Sequence, residues 1–256
     1  MNLLRRFRAR RDTDGGWTVI ELTVVMAIMG IVGAALATIV GATTRVTAST
    51  GAHLDEANQG RIAVDVMSRV LRTAIRPQWV STCSGSCSPN QAFVTATPTS
   101  LRFYADVDNA VMTSGTPNPA QVTGPKQIEL YTQTTSSGDT QLVETILDPQ
   151  GSASTGYTWP NPTCTPGTSG CAKRVVVLAH NVVTTSPLFT YYVRQASGIT
   201  TMTTVPSTLV AYIDAIDINL VLKQSSYGGA PVSVQIGHVS MPNVDIAIDA
   251  TASPTS

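Results

Sequence analysis

The stretch GGWTVIELTVVMAIMGIVGAALATIVGATTR, residues 15–45, holds one carboxylate, Glu21, and then no further charge until Arg45. The 23 residues from 22 to 44 are mostly Val, Ile, Leu, Met and Ala. A helix of that length extends about 34 Å, and the hydrocarbon core of a bilayer is about 30 Å thick. The stretch therefore predicts a helix that crosses a membrane.

Basic residues are concentrated before this stretch. Five arginines precede residue 16: Arg5, Arg6, Arg8, Arg10 and Arg11. By the positive-inside rule, residues 1–16 stay in the cytoplasm and the chain after Arg45 lies outside it. We therefore expect a single-pass protein of the plasma (inner) membrane with an exported C-terminal part. Without residues 1–16 the net charge is −3, so the composition does not indicate nucleic-acid binding.

A signal peptide is one interpretation of this segment. Signal peptides have an apolar core of about 7 to 15 residues, which is shorter than residues 22–44, although Val46-Thr47-Ala48 is a passable cleavage site. An uncleaved signal anchor is the second interpretation. The third rests on Gly16, which ends the basic leader, and on Glu21, which follows five residues later.

These residues resemble the cleavage motif of type IV prepilins and pseudopilins, in which a glycine is followed by an aromatic residue, a Thr-Leu-Ile-like triplet and a glutamate. Gly16 matches the residue before the scissile bond, Trp17 the new N-terminus and Glu21 the glutamate. The resemblance implies that a prepilin peptidase cuts after Gly16, that Trp17 is a candidate for N-methylation, and that Glu21 acts in assembly. Trp17 replaces the usual phenylalanine.

Glu21 has a physical role in this interpretation. A carboxylate just inside an apolar span costs about 3 kcal/mol or more, so it normally has a partner. The amine that cleavage frees at Trp17 of a neighbouring subunit is the candidate partner, and their pairing would set the axial register of a filament. The competing interpretation is that Glu21 lies in the headgroup zone.

Beyond Arg45 the helical pattern continues in amphipathic form. Charged residues recur at spacings of three and four: Arg61, Asp65, Arg69, Arg72 and Arg76. The apolar residues opposite are expected to be buried: Ile62, Ala63, Val66, Met67, Val70, Leu71 and Ala74. Several glycines and Pro77 predict a curved or broken helix over residues 18–76. The charged stripe indicates a solvated helix face, with a DNA-binding or membrane-surface role as the alternative.

After Pro77 the composition changes to Thr, Ser and Val, with short apolar runs between Pro and Gly, which is typical of strands. The predicted strands are 92–96, 100–105, 127–133, 140–147, 174–183, 188–194, 212–222, 232–240 and 244–249. Apolar residues alternate in three runs: Ile216, Ile218, Leu220 and Leu222, then Val232, Val234 and Ile236, then Val244, Ile246 and Ile248. The predicted fold class is α+β, a long N-terminal helix whose amphipathic half packs on an antiparallel sheet.

Four cysteines form two close pairs, Cys83 with Cys87 and Cys164 with Cys171, each in a stretch rich in Ser, Thr, Pro and Gly. In an exported chain such thiols form disulfides. Zinc is the alternative, but the two spacings and the lack of a nearby histidine do not fit its usual sites. Four cysteines allow three connectivities, and pairing within each close pair is preferred. Residues 148–172 predict a long surface loop.

No catalytic motif is found in the sequence, since G-x-S-x-G, H-E-x-x-H and P-loop patterns do not occur. Three scattered histidines are expected to be structural: His53, His180 and His238. Asp106, Asp108 and Asn109 offer oxygen ligands for calcium, but they lack the glycine and terminal glutamate of an EF-hand. A turn is the preferred interpretation there. We expect a protein that is not an enzyme and has no cofactor.

The whole layout is similar to that of the larger minor pilins and minor pseudopilins. It comprises a cytoplasmic leader (1–16), a membrane and filament-core helix (17–44), its amphipathic continuation (45–76), an exported β-rich head (77–250) and a tail (251–256). The resemblance implies prepilin peptidase, other pilin or pseudopilin subunits and an assembly-platform membrane protein as partners. It also implies a place in a filament at the cell surface after assembly. A membrane-anchored extracellular binding module is the alternative, and an exported hydrolase is the third possibility.

Overall fold

A long helix followed by antiparallel strands makes up the computed structural model, which describes residues 18–82, 88–107, 124–159, 164–165, 173–223 and 232–244. The chain divides into two compact units, one ending at Thr50 and the other beginning at Gly51. The predicted α+β class is confirmed.

Helix α1 spans Val19–Arg72, a length of 54 residues. Of the two predicted alternatives, a curved or a broken helix, the break is excluded, because the helix continues through Gly41, Gly51 and Gly60. A glycine in a helix interior costs only about 1 kcal/mol relative to alanine. Helix α1 contains five glycines, and their costs, spread over 54 residues, do not interrupt it.

The C-terminal end of α1 is decided by pairing with a strand and not by Pro77. The amide of Ile75 donates to the carbonyl of Tyr104 at 2.9 Å, and the amide of Asp106 donates to the carbonyl of Thr73 at 2.9 Å. These bonds draw the chain into an extended bridge, so the helix ends four residues earlier than predicted. Pro77 instead begins a short 3-10 helix.

In the second unit α1 buries one face in the core. Its buried residues are Gly60, Ala63, Val64, Met67, Ser68 and Leu71. Four residues of the charged stripe are exposed, as predicted: Arg61, Asp65, Arg69 and Arg72. The prediction is wrong for Ile62, which is 65% exposed, because it lies about 140° around the helix from Met67. Val66 and Val70 are half-buried.

Two antiparallel sheets form the rest of the core. The first has the order β1-β2-β3-β4-β7, with β1 at Phe93–Ala96, β2 at Ser100–Ala105, β3 at Lys126–Thr134, β4 at Thr140–Leu147 and β7 at Lys173–Ala179. The second has the order β11-β10-β8-β9, with β8 at Phe189–Gln195, β9 at Gly198–Met202, β10 at Ile213–Leu222 and β11 at Val232–Ser240. The predicted strands at these positions are therefore confirmed to within a few residues.

One hydrophobic cluster joins the amphipathic part of α1 to both sheets. It includes Met67 and Leu71 from the helix, Phe93, Phe103 and Leu130 from the first sheet, and Tyr191, Ile216 and Leu220 from the second. The predicted alternation in β10 is confirmed, since Ile216, Ile218, Leu220 and Leu222 are all buried. The helix thus packs on the sheets through this shared core.

The chain crosses from the first sheet to the second after β7. The predicted strand 174–183 is too long, because β7 ends at Ala179 and Asn181 has a φ of 56°. Left-handed backbone of this kind interrupts a strand, and asparagine tolerates it better than most residues. Val182 then bridges Leu222 of β10.

Three strands were not predicted. A small hairpin, β5 (Gln150–Ser152) and β6 (Gly156–Thr158), lies within the stretch that was expected to be a loop. The edge strand β9 pairs with β8 across a two-residue turn. Both lack a clear apolar alternation, so the sequence pattern does not distinguish them from loops. The predicted strand 244–249 lies outside the described residues, apart from Val244, which is buried in a turn.

Candidate functional site

The beginning of α1 carries the residue that the sequence singles out for assembly. Glu21 lies in the first helical turn, and its amide donates to the Thr18 carbonyl at 2.9 Å and to Oγ1 of Thr18 at 3.4 Å. Thr18 is therefore the N-terminal cap, and Thr-x-x-Glu is a capping-box sequence. The carboxylate of Glu21 is exposed, and no described residue is bonded to it. Gly16 and Trp17 lie outside the described residues.

The described part of the first unit is helical from Val19 onward, and its apolar surface is unburied. The structure has one helix in its described part that is long and apolar enough to cross a membrane, and the apolar window has no buried residue. Large apolar side chains are exposed all around it, including Ile20, Met29, Ile31, Leu36 and Val40. Soluble monomers rarely expose so large a continuous apolar surface. This surface fits a lipid or protein environment better than water.

The threonines of this helix do not disturb its apolar character. The hydroxyl of Thr23 donates to the Ile20 carbonyl at 2.8 Å, and Thr38 donates to the Ala35 carbonyl at 2.7 Å. The same bond to a carbonyl three or four residues earlier is made by Thr43, Thr44, Thr47 and Thr50. Because each hydroxyl is satisfied within the helix, it needs no water.

The small residues of the same helix leave its backbone accessible. A Cβ added at Gly30, Gly33 or Gly41 would meet no atom within 4 Å. These glycines therefore relieve no crowding within the chain. Small residues of this kind allow a second helix to approach closely, so the exposed helix is suited to packing against other helices.

Charges return in the second half of α1, where they lie on the solvent side. Asp65 and Arg69 form an ion pair one helical turn apart, as i, i+4 pairs do on solvated faces. Arg76 stacks over the half-exposed ring of Trp79, with 5.3 Å between the guanidinium carbon and the ring centroid. Local partners thus account for part of the stripe, in agreement with its interpretation as a solvated face.

His180 is the histidine that most resembles part of a catalytic set. Its Nδ1 lies 2.8 Å from Oδ2 of Asp139 and 3.3 Å from Nε2 of Gln141. Its backbone amide donates to Oε1 of Gln59 on α1 at 3.3 Å. Within the described part of the chain no hydroxyl is bonded to this ring, so a nucleophile, base and acid are not brought together there.

Asp139 lies in the turn between β3 and β4, and its carboxylate accepts hydrogen bonds from residues that directly follow β7. Hydrogen bonds from the His180 ring, the Asn181 amide and the Gln141 amide group hold the pKa of Asp139 below its ordinary value. The amide of Asn181 donates to Oδ1 of Asp139 at 2.9 Å. These hydrogen bonds hold the β3–β4 turn against Asn181, the residue with left-handed backbone. The role of Asp139 here is therefore structural.

His238 lies in a second polar cluster, on β11. Its φ is 58°, and its amide donates to a carboxylate oxygen of Asp217. The hydroxyl of Tyr192 donates to the other oxygen of Asp217 at 2.7 Å, and this bond raises the pKa of Tyr192. The cluster lies at the point where the pairing of β10 with β11 shifts register, between Ile216 and Ile218. His53 is exposed on α1.

An aromatic cleft of about 410 Å³ lies beside β2 and β3. The rings of Tyr104 and Trp159 stack with centroids 4.3 Å apart, and the indole nitrogen of Trp159 donates to the Pro125 carbonyl at 3.2 Å. Burial raises the pKa values of Tyr104 and Tyr157. Both tyrosine residues are more than nine-tenths buried, so they serve packing and leave little surface for a ligand.

The remaining predicted sites are described only in part. Cys164 is bonded in a disulfide, whereas Cys83, Cys87 and Cys171 lie outside the described residues, so the pairing stays a prediction. Of the calcium candidates, Asp106 is exposed after β2, and Asp108 and Asn109 lie outside the described residues. No group of three potential metal ligands occurs among the residues that the structure describes.

No protein-family model matches the chain, and neither the curated proteins nor the solved structures contain a match to it.

Sequence reasoning missed one surface feature. The sequence predicted a strand here, and Val175, Val176 and Val177 are exposed on it because β7 is the edge strand of the five-stranded sheet. Their sequence indicates a strand, but only the strand order of the sheet shows that one side of it is unpaired.

Proposed function

We propose that this chain is a minor pilin or pseudopilin, a non-enzymatic subunit of a filament of the type IV pilus or type II secretion class. The observation that carries the proposal is the first unit, an exposed apolar helix with one carboxylate in its first turn. The same helix continues to Arg72, and its second half lies in the core of a β-rich head. Such a subunit has a helix for membrane and filament, and a head for contacts outside.

The precursor would wait in the membrane with its head exported. The arginines of residues 1–16 favour a cytoplasmic leader, and the disulfide at Cys164 agrees with an oxidising compartment for the head. Cleavage after Gly16 by a prepilin peptidase would remove the leader and free the amine of Trp17, which is also the candidate for methylation.

Assembly would then depend on Glu21. In the isolated chain no described residue is bonded to its carboxylate, and an unpaired charge is costly in an apolar surrounding. The Trp17 amine of a neighbouring subunit would neutralise it as an assembly-platform protein lifts the subunit out of the bilayer. The exposed glycines would allow the helices of adjacent subunits to pack closely in the filament core.

Processing is tested by co-expression with a prepilin peptidase and mass measurement of the chain. We expect the wild-type chain to lose 16 residues and Gly16→Val to remain uncut. A wild-type chain that keeps residues 1–16 favours the alternative, a membrane-anchored extracellular binding module. A new N-terminus at Ser49 indicates an ordinary secreted protein.

The role of Glu21 needs a separate test, because Thr18 and Glu21 also match a capping-box sequence, in which Oγ1 of Thr18 accepts a hydrogen bond from the Glu21 amide. Glutamine serves in a capping box as glutamate does, but it carries no charge. We therefore expect Glu21→Gln to preserve the helix and its cleavage and to reduce incorporation into filaments. Normal incorporation of Glu21→Gln would show that assembly does not need the negative charge of Glu21.

A further inference from the structure

The aromatic cleft beside β2 and β3 is lined by hydroxyl groups whose hydrogen-bonding capacity is only partly used. Ser88, Tyr104 and Tyr157 all line it, and these residues are 7%, 7% and 5% exposed. Oγ of Ser88 accepts a hydrogen bond from the Tyr157 amide at 2.8 Å. Within the described part of the chain, the hydrogen of the Ser88 hydroxyl has no acceptor. This buried group can therefore still donate one hydrogen bond.

The two tyrosine hydroxyls can also still donate. The hydroxyl of Tyr104 accepts a hydrogen bond from Nε2 of Gln127 at 3.4 Å and donates to no described group. No hydrogen bond joins the hydroxyl of Tyr157 to a described residue. Burial, and to a smaller extent the charge of Asp106, raises the pKa of Tyr157, so this phenol keeps its hydrogen at neutral pH. Because buried polar groups normally have partners, three unused donors in one cleft indicate a ligand that accepts hydrogen bonds.

Contacts within the head hold the cleft in shape. A Cβ at Gly124 would lie 2.5 Å from Cε1 of Tyr157, so only glycine lets the backbone approach this ring so closely. The indole nitrogen of Trp159 donates to the Pro125 carbonyl at 3.2 Å, and the indole ring stacks on Tyr104 with centroids 4.3 Å apart. The tyrosine rings are therefore used in packing, and the half-buried Trp159 is the aromatic surface that a ligand can reach.

The lining indicates a neutral ligand that has both an apolar face and hydroxyl groups. None of the described residues that line the cleft carries a charge at neutral pH, and the carbonyl oxygen of Gln127 has no donor among the described residues. A ligand must therefore accept and donate hydrogen bonds and also cover an indole ring. Sugar hydroxyls donate and accept, and one side of a pyranose ring presents C–H groups. We propose that this cleft binds a neutral saccharide, with the sugar ring against Trp159.

Two other ligand classes fit this lining less well. A quaternary ammonium group binds in cages of accessible aromatic faces, whereas the rings of Tyr104 and Tyr157 pack against Trp159 and Gly124. A proline-rich peptide also docks on aromatic grooves, but proline has no N–H and would leave the Gln127 carbonyl without a donor. The cleft volume of about 410 Å³ is within the range of small-molecule pockets, about 300 to 1,000 Å³, and suits a short saccharide.

Saccharide binding is tested with the uncut full chain in a detergent that has no sugar headgroup. The probes are neutral disaccharides of glucose, galactose, mannose and N-acetylglucosamine, with choline and a proline-rich peptide as comparison compounds. Saturation-transfer NMR detects the protons of a bound ligand, and a titration gives its Kd. We expect saturable binding of at least one disaccharide and of neither comparison compound. Binding of choline or of the peptide, or no binding of any disaccharide, would overturn the proposal.

Variants in the cleft separate binding from folding. Tyr157→Phe removes only a hydroxyl that has no partner among the described residues, so we expect an unchanged melting temperature and a Kd about fivefold higher. Tyr131→Phe is the matched control with an unchanged Kd, because Tyr131 lies on β3 and does not line the cleft.

The role of the indole ring is tested in the same way. Trp159→Ala should abolish detectable binding, whereas Trp79→Ala should leave the Kd unchanged, because Trp79 is 50% exposed but does not line the cleft. A Kd that Tyr157→Phe leaves unchanged, or binding that is lost equally in Trp79→Ala and Trp159→Ala, would place the saccharide elsewhere and refute the assignment of this cleft.

Discussion

Truncation of Leu71 tests whether the second half of α1 is held in the core. Leu71 is 0% exposed and belongs to the cluster shared by the helix and both sheets. Leucine-to-alanine changes at buried sites cost about 2 to 5 kcal/mol, and the cost is larger where the site cannot collapse. Because this side chain is fully buried in that shared core, we expect Leu71→Ala to lower the free energy of unfolding by about 3 kcal/mol.

Ile62 is the matched control on the same helix. It is 65% exposed, and exposed substitutions usually change stability by less than about 0.5 kcal/mol. A change of 1 kcal/mol shifts the melting temperature of a domain of this size by about 2 to 4 °C. We therefore expect a decrease of about 6 to 12 °C for Leu71→Ala and of less than about 2 °C for Ile62→Ala.

Thermal unfolding of the full chain in detergent measures both variants. Intrinsic fluorescence reports on the head because Trp159 stacks on the buried ring of Tyr104. Similar shifts for Leu71→Ala and Ile62→Ala would refute the reasoning, since they would mean that the helix does not present the face seen here. A large shift for Ile62→Ala alone would mean that the helix is rotated.

Two further predictions concern the helix and the head. A Cβ at Gly60 would lie 2.9 Å from Cγ2 of Val234, whereas a Cβ at Gly51 would meet nothing within 4 Å. In thermal melts we therefore expect Gly51→Ala to stabilise the protein by up to about 1 kcal/mol. We expect Gly60→Val to destabilise it by about 1 to 3 kcal/mol. For Asp139, the pKa is lowered in the folded state, so its contribution to stability is present above the ordinary pKa of about 3.9 and is lost as the pH falls below it. Urea midpoints should accordingly be lower for Asp139→Asn than for wild type at pH 7, with a difference that closes below about pH 4; a constant difference contradicts this.

Most strands were predictable because their side chains alternate. Along β10, Ile216, Ile218, Leu220 and Leu222 are buried, and the residues between them are only half-buried. The hairpin β5–β6 and strand β9 were not predictable, because their residues are mostly exposed and leave no periodic pattern. For such strands, backbone pairing with a neighbour decides the conformation.

For helix α1 as well, part of the structure was predictable from the sequence and part was not. Its amphipathic pattern correctly indicated that Met67 and Leu71 are buried, but the pattern alone placed Ile62 on the wrong side. Proline chemistry predicted an end at residue 76, whereas backbone bonds to the end of β2 end the helix earlier. Local sequence rules describe what a segment prefers, and a partner strand that is distant in sequence overrides that preference.

By itself the sequence determined that a long apolar helix with a single acid near its start precedes a β-rich part, because hydrophobic periodicity and charge are local properties. The tertiary structure alone decided which residues share the core, how the described strands divide among the sheets, and that β7 is at the edge of the five-stranded sheet. Strand order depends on contacts between residues far apart in the chain, and no local pattern records which strand has only one neighbour.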